Sequence, residues 1–204
     1  MAVPQSETRR RRWALVTTIV VGAVVAVAAS GWIFVHTGMF DPAADTPHSQ
    51  SVYWFLQSVR DYSIAARATD PVPADLTEEK RIVSGAAQYA EMCASCHLAP
   101  GMQRTEISRG LYPRAPELRR RSTRTPAEQF WIIKHGIKMS GIPAWRVTHD
   151  DDILWDVVAF LRKLPDLTPE SYRAVVKSAP KTHDEMMQQM QMDTDPGKAH
   201  GSHQ

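Results

Sequence analysis

The chain has 204 residues and a formal net charge of +2 at neutral pH, with 23% charged residues. This length allows one or two small domains and excludes a larger assembly of domains within the chain. The charge is so nearly balanced that composition alone names no class of partner. The positions of the charges along the chain are more informative than their sum.

Residues 13–35 form a run of 23 residues without a charged side chain, WALVTTIVVGAVVAVAASGWIFV. At ~1.5 Å per residue, a helix of this length covers the ~30 Å hydrocarbon core of a bilayer. Trp13 and Trp32 lie near its two ends, where indole rings prefer the headgroup region. The run therefore predicts a transmembrane anchor over residues 13–35.

Basic residues flank this run on one side only. Arg9 to Arg12 precede it, and the next Lys or Arg is Arg60. The positive-inside rule then predicts a cytoplasmic N-terminus at residues 1–12 and an exported remainder, in a single-pass protein of the bacterial inner membrane. A cleaved signal peptide is the alternative, since AVAAS offers small residues for cleavage. Both alternatives place the bulk of the chain in the periplasm, away from nucleic acid.

Residues 36–76 are predicted to be a periplasmic linker that contains one amphipathic helix. Within residues 51–68, apolar side chains recur at helical spacing, and Pro71 and Pro73 then favour extended backbone. We interpret this helix as a stalk that packs on the domain or the membrane, with a partner site as the alternative. Its apolar stripe consists of Val52, Phe55, Leu56, Val59, Tyr62 and Ala66.

Three helices are predicted in the block from 77 to 168. Thr77 is the candidate N-cap of the first helix, and Ile82, Ala86 and Tyr89 lie on one face of that helix. The second carries four terminus signals, Thr125, Pro126, Glu128 and Gly136. The third ends at Pro165 and has acids at its start. Its apolar stripe is Ile153, Val157, Phe160, Leu161 and Leu164.

The fold class predicted for the exported part is all-α, because no alternating run of strand length stands out. Long loops separate the helices, one at 98–123 and another at 137–149. A core this small is marginal unless something else fills it, and a large apolar cofactor would do so.

The chain has only two cysteines, and they stand three residues apart in AEMCASCHLAPG, with a histidine directly after the second. A disulfide exchanger with this spacing normally follows a strand, and a structural zinc site needs four ligands. Covalent attachment of one haem c explains all three residues, Cys93, Cys96 and His97. The two thiols add to the porphyrin vinyl groups, and the histidine ligates the iron. The predicted export agrees with this interpretation.

With these residues the block resembles the class I cytochromes c, in particular membrane-anchored bacterial monohaem members. The resemblance covers residues 78–167, and it implies that the first and last helices cross, with Gly85 at their contact and Phe160 nearby. It is carried by Gly85, Tyr89, Cys93, Cys96, His97, the GIPAW loop at 141–145 and the WDVVAFLRKLP helix at 155–165.

The resemblance also implies a methionine sulfur on the second face of the iron, which raises the reduction potential and fills the sixth site. The family's loop usually reads Gly-Met-Pro-Ala-Phe, but here Ile142 stands at the methionine position and cannot ligate. Met139 has the nearest sulfur, so His97 and Met139 are the predicted metal ligands. The alternatives are Met139 packed on the porphyrin edge, His135 or His149 as ligand, and an open sixth site.

Two charged or metal-binding segments remain. Seven arginines lie between 104 and 124. They could neutralise haem propionates or form a docking surface for an acidic redox partner, and a solvated loop is the alternative. The segment 169–204 is predicted to be a C-terminal extension whose tail has several thioethers and imidazoles, which suit copper. A polar, partly disordered end is the alternative. Those tail residues are His183, Met186, Met187, Met190, Met192, His200 and His203.

The expected protein is therefore a periplasm-facing, membrane-anchored electron carrier and not an enzyme. Its expected partners are redox proteins in or at the membrane, such as a quinol-oxidising complex, a dehydrogenase or a terminal oxidase. An open haem face would instead indicate a sensor or a peroxidase-like enzyme. A copper-handling cytochrome is a further alternative, supported by the tail alone.

Overall fold

The computed structural model describes residues 5–179, and all regular elements in that range are helices, which confirms the all-α prediction. A π-helical turn at Tyr89–Cys93 and 3-10 turns at Trp145–Val147 and Leu164–Asp166 complete the set. The α-helices are α1 Gln5–His36, α2 Gln50–Ala65, α3 Glu79–Gln88, α4 Ala94–His97, α5 Glu106–Gly110, α6 Pro126–His135, α7 Asp151–Lys163 and α8 Pro169–Ser178.

Helix α1 contains the predicted anchor. Its portion Glu7–His36 is long and apolar enough to cross a membrane by length and composition, and its apolar window is not covered by other described residues. Trp13 and Trp32 are both exposed near the ends of the uncharged run. The boundary between two compact units falls after Thr46, so α1 belongs to the first unit and helices α2 to α8 belong to the second.

The core of the second unit forms where α3 crosses α7. A Cβ built on Gly85 would lie 1.9 Å from the carbonyl oxygen of Asp156 and 3.0 Å from the Cβ of Phe160, so only a glycine permits this approach. The Tyr89 and Phe160 rings follow at 5.3 Å between centroids, and Tyr172 of α8 lies 6.2 Å from Phe160. The crossing that the family resemblance implied is confirmed.

A second apolar cluster joins α6 to the other side of α7. The rings of Phe130 and Trp155 stack at 4.0 Å between centroids with an angle of 4°. Leu76, Leu154 and Val158 are buried around them. Of the predicted stripe, Val157, Phe160, Leu161 and Leu164 are buried and Ile153 is partly buried. Because α7 supplies both clusters, Leu154, Trp155, Val158 and Ala159 outside the stripe are buried as well.

The helix ends follow the sequence signals with one correction. The predicted capping box of α6 forms, since Thr125 Oγ1 accepts from the Glu128 N–H at 3.2 Å, and Gly136 follows the helix at a φ of 64°. Thr77 does not cap α3: the N-cap is Glu78, and its side chain makes no capping bond. Thr77 belongs to the preceding turn, so the first helix starts one residue later than predicted.

Two short helices lie where no helix was predicted. Helix α5 interrupts the segment that was predicted to be a loop, capped by Thr105. Helix α8 follows Thr168, which accepts from the Ser171 N–H in a capping box. Tyr172 on α8 is buried, so the packed core includes residues beyond 168.

Helix α2 exists as predicted, but its apolar stripe is not covered by the domain. Instead α2 is held by its other side, where Ile64 is buried and Asp61 accepts from Arg124 Nη2 at 2.6 Å. The stripe residues Val52, Phe55, Leu56, Val59 and Tyr62 are all exposed. The periodicity of the sequence identified the apolar face of α2 correctly. In the described residues this face does not pack on the domain.

An ion cluster around Arg81 ties α3 to α7. Arg81 Nε lies 2.9 Å from an Asp75 oxygen, Nη1 lies 2.7 Å from Asp156, and Nη2 lies 3.4 Å from Asp152. The Arg81 and Asp156 side chains are only 13% and 16% exposed. Burial raises the pKa of Asp156, while hydrogen bonds from Ser84 and Arg81 oppose that rise.

We expect Arg81→Met to lower the free energy of unfolding by about 2 kcal/mol at pH 7, because it leaves the Asp156 carboxylate without its charge partner. Loss of Arg81 raises the folded-state pKa of Asp156 further above its unfolded value. A carboxyl shifted in that direction destabilises the fold at neutral pH, and the cost disappears as the pH falls through its folded pKa.

The deficit of Arg81→Met should therefore shrink as the pH is lowered from 7 towards about 4. Denaturant unfolding of the full chain in detergent, repeated across that range, measures it. Arg173→Met is the control, because its pair with Glu170 is a solvent-exposed i,i+3 pair and should contribute nothing measurable. A deficit that is equal at all pH values would contradict the role assigned to Asp156.

Candidate functional site

The two cysteines lie on a tight turn at the end of α3. The π-helical turn Tyr89–Cys93 extends α3 and delivers Cys93, and the four-residue helix α4 carries Cys96 and His97. Single π-helical turns inside helices are frequent at functional sites. The three residues of the predicted haem motif are thus positioned by one short, continuous stretch of backbone.

Cys93 and Cys96 are not joined in a disulfide, and both are half-buried. Burial, and secondarily the neighbouring Cys96, raises the pKa of Cys93 to about 12. A disulfide exchanger or nucleophile needs a lowered thiol pKa, since the thiolate is the reacting species. Cys93 therefore stays a thiol at neutral pH, and its environment does not favour a disulfide exchanger.

His97 is oriented by a backbone carbonyl. Its Nδ1 lies 2.8 Å from the carbonyl oxygen of Pro116, which has no hydrogen to donate, so Nδ1 carries the proton and donates it. The Nε2 lone pair is then left for a metal, because the other ring nitrogen fixes the tautomer. Burial lowers the pKa of His97, against the effect of the Pro116 bond, and this keeps the ring neutral as a ligand must be.

The backbone turns sharply directly after the motif. Leu98 is buried and has a φ of 63°, in the left-handed region that a branched side chain seldom adopts. The buried Tyr89 hydroxyl donates to the Leu98 carbonyl oxygen. Burial raises the pKa of Tyr89, so the phenol remains a donor. Tyr89 thus holds the turn that follows His97, a role that its helical spacing did not indicate.

The loop from 98 to 125 is fixed at several points. Thr105 Oγ1 donates to the Ser95 carbonyl at 2.5 Å, which ties the start of α5 to the haem motif. At least five of the seven arginines contact acceptors in the protein and so help to hold the loop. Binding of haem propionates or of an acidic partner by these arginines stays a prediction. These five are Arg104 with Ser108, Arg119 and Arg120 with Glu117, Arg121 with Asp166, and Arg124 with Asp61.

The second loop, from 136 to 149, closes on itself. A Cβ on Gly136 would lie 2.7 to 2.8 Å from backbone atoms of Ile142 and Pro143, so Gly136 permits this contact. Ser140 Oγ donates to the Ile137 carbonyl at 2.7 Å. Met139 has a φ of 57° and a fully exposed side chain, at 101% relative exposure. Its thioether is packed on nothing else in the described chain, and its assignment as iron ligand stays a prediction.

The two histidines that flank this loop have protein neighbours. His149 is buried, its Nδ1 lies 2.8 Å from Thr148 Oγ1, and its ring meets Trp145 edge-on at 5.3 Å. His135 ends α6, 5.0 Å from the Trp131 ring, and burial lowers its pKa. Trp145 is half-buried and packs against the second apolar cluster, which agrees with a bracing role.

The arrangement fits one haem c. Two thiols on one turn and a neutral imidazole with Nε2 left for iron are groups that this cofactor uses. The helical fold with α3 crossing α7, together with this turn, defines a class I c-type cytochrome domain.

Residues 80–161 match the family described as cytochrome C oxidase, cbb3-type, subunit III. The domain is therefore a class I monohaem cytochrome c domain, with covalently attached haem c, and it serves electron transfer. Among curated proteins none matches the chain significantly, and none of the solved structures does so either.

The tail residues considered for copper, from His183 to His203, lie outside the described residues. Among residues 7–179, no group of three or more His, Cys, Asp or Glu side chains is arranged to hold a metal ion. Copper binding by the tail thus remains a prediction from composition.

Proposed function

We propose that this protein is a membrane-anchored monohaem cytochrome that carries single electrons between membrane redox proteins in the bacterial periplasm. The observation that carries the proposal is the 2.8 Å contact between His97 Nδ1 and the Pro116 carbonyl, which reserves Nε2 for iron. Haem c supplies a one-electron couple when bound. The chain orients the ligands, limits access of water and breaks no substrate bond, so we propose a carrier and not an enzyme.

The proposed location rests on α1 and on its arginines. Within residues 5–179, one helix has sufficient length and apolarity, and Arg9 to Arg12 precede its uncharged run. These features support a single-pass anchor in the inner membrane with the haem domain in the periplasm. Cleavage as a signal peptide is the alternative. N-terminal sequencing of the purified protein distinguishes the two, since an anchored protein retains its arginines.

The matched family is named for a subunit of an oxidase, so a terminal oxidase is the first partner to test. Quinol-oxidising complexes and dehydrogenases are the other partners proposed. Stopped-flow mixing of the reduced protein with a purified oxidase in shared vesicles would measure transfer directly. Rapid oxidation supports this partner, and oxidation no faster than by dissolved oxygen contradicts it.

We propose Met139 as the sixth ligand, because it belongs to the closed 136–143 loop with its thioether exposed, and Ile142 offers no donor atom. The ferric protein should then show the weak charge-transfer band of iron–sulfur ligation near the red edge of the visible spectrum. Met139→Ala should abolish the band completely and lower the reduction potential, since a thioether ligand raises it.

Met102→Ala is the matched control, because Met102 is partly exposed in the other loop and should leave the band unchanged. A band that survives Met139→Ala would refute the assignment. The second candidate function, an open-face sensor or peroxidase-like haem protein, is favoured by Ile142 at the usual ligand position. Carbon monoxide binding to the ferrous wild-type protein at neutral pH would support that alternative.

A further inference from the structure

The outward side of α2 is an apolar surface of unusual composition for a soluble domain. We define the outer face of α2 as Val52, Phe55, Leu56, Val59 and Tyr62, whose exposure ranges from 45% at Val52 to 80% at Tyr62. A contiguous exposed apolar patch usually marks an interaction site, whereas single exposed apolar residues need no explanation.

The attachment of α2 to the domain explains why this face points outward. Ile64 is buried on the opposite side, with an exposure of 1%. The only charged residues of α2, Arg60 and Asp61, pair with each other at 2.9 Å, and Asp61 also pairs with Arg124 at 2.6 Å. Asp61 is therefore engaged with the domain, and Arg60 is paired with Asp61. The outer face has no charge of its own.

The chain upstream indicates what covers this face. Helix α1 ends at His36 and α2 begins at Gln50, so only residues 37–49 separate them. A fully extended segment of that length reaches ~45 Å at most, so α2 always remains within reach of a bilayer that holds α1. Lipid is present wherever the anchor is, whereas a protein partner has to be recruited.

The residue types fit the headgroup region. Tyr is enriched where an amphipathic ring meets both lipid and water, and Tyr62 is the most exposed residue of the outer face. A helix with one apolar face lies in the interfacial plane with that face towards the acyl chains. The tether keeps α2 at a high effective concentration near the bilayer, so weak insertion of a few side chains is sufficient.

We propose that the outer face of α2 docks on the lipid surface of the bilayer that holds α1. This inference rests on the proposed membrane anchor. Docking restricts rotation of the cytochrome domain, because α2 is fixed to it through Ile64 and the Asp61–Arg124 ion pair. The haem site is then presented to membrane partners in one orientation.

Single-cysteine labelling of the full-length holoprotein tests the docking. In the holoprotein both native cysteines are bound to haem through thioether bonds. A thiol-specific nitroxide reagent therefore labels only an introduced cysteine. Val59→Cys places the label on the outer face. Gln57→Cys is the matched control, because Gln57 is exposed and two residues away, about 200° around the same helix.

The labelled proteins are reconstituted in nanodiscs of phosphatidylcholine and phosphatidylglycerol. Collision with oxygen, which concentrates in lipid, is compared with collision with a water-soluble nickel chelate. We expect the ratio of oxygen to nickel collisions to be several-fold higher for the Val59 label than for the Gln57 label.

Equal ratios at the two positions would overturn the docking, since both labels would then be in water. Shielding of the Val59 label from both probes would also overturn it and would indicate a second copy of the chain on the face. Failure of the chain to enter nanodiscs would refute the anchor itself. A chain that enters nanodiscs but leaves Val59 in water refutes only the docking.

Discussion

Gly85→Ala is expected to destabilise the cytochrome domain by about 3 kcal/mol or more, a loss at the upper end of those seen when a packed core is overfilled. The added Cβ would lie 1.9 Å from the Asp156 carbonyl oxygen and 2.5 Å from its carbon. Backbone atoms cannot rotate away as a flexible side chain can, so α3 and α7 must separate. Denaturant unfolding of the full-length holoprotein in detergent measures the loss.

Gly110→Ala is the matched control for this substitution. Gly110 ends α5, and a Cβ there would meet nothing within 4 Å. Its stability should be unchanged or higher by up to ~1 kcal/mol, because alanine restricts the unfolded chain. If Gly85→Ala unfolds at the same denaturant concentration as wild type, the close crossing of α3 and α7 does not exist in solution.

Replacing both cysteines, in Cys93→Ala with Cys96→Ala, is expected to abolish covalent haem attachment completely. Haem staining after denaturing electrophoresis should fall to background, and acidified acetone should extract any remaining pigment. The domain should also become sensitive to protease, because a core of this size is marginal and loses the apolar contacts of a bound cofactor.

Ser95→Ala controls for disturbance of the turn between the two thiols. Its backbone carbonyl, which accepts from Thr105, is unaffected by the change. Ser95→Ala should therefore retain full haem stain. A double cysteine variant that keeps its pigment through denaturation would refute thioether attachment and with it the identity of the cofactor.

Local rules predicted the elements whose signals are local. The Thr125-Pro126 start of α6 and the stripe of α7 were read correctly because caps and helical periodicity involve neighbouring residues only. Helix α8 was missed although Thr168-Pro169 repeats the same start signal. That signal could have identified α8, and with it the burial of Tyr172 in the core.

The features that sequence reasoning missed depend on contacts between distant residues. The acceptor for His97 is the backbone carbonyl of Pro116, and no side-chain pattern marks a carbonyl as an acceptor. Tyr89 fits its apolar face, but its bond to Leu98 depends on the backbone reversal after α4. The outward stripe of α2 depends on where Ile64 packs, because periodicity marks an apolar face without identifying what covers it.

The short segment 37–49 has a kinetic consequence for an anchored carrier. With α1 in a bilayer, the start of α2 can move no further than ~45 Å from the end of α1, because that is the extended length of the segment. The haem domain therefore stays close to the membrane surface. Electron delivery then becomes a two-dimensional encounter. Its rate should vary with the number of partner molecules per unit area of membrane, and diluting the vesicles should leave it unchanged.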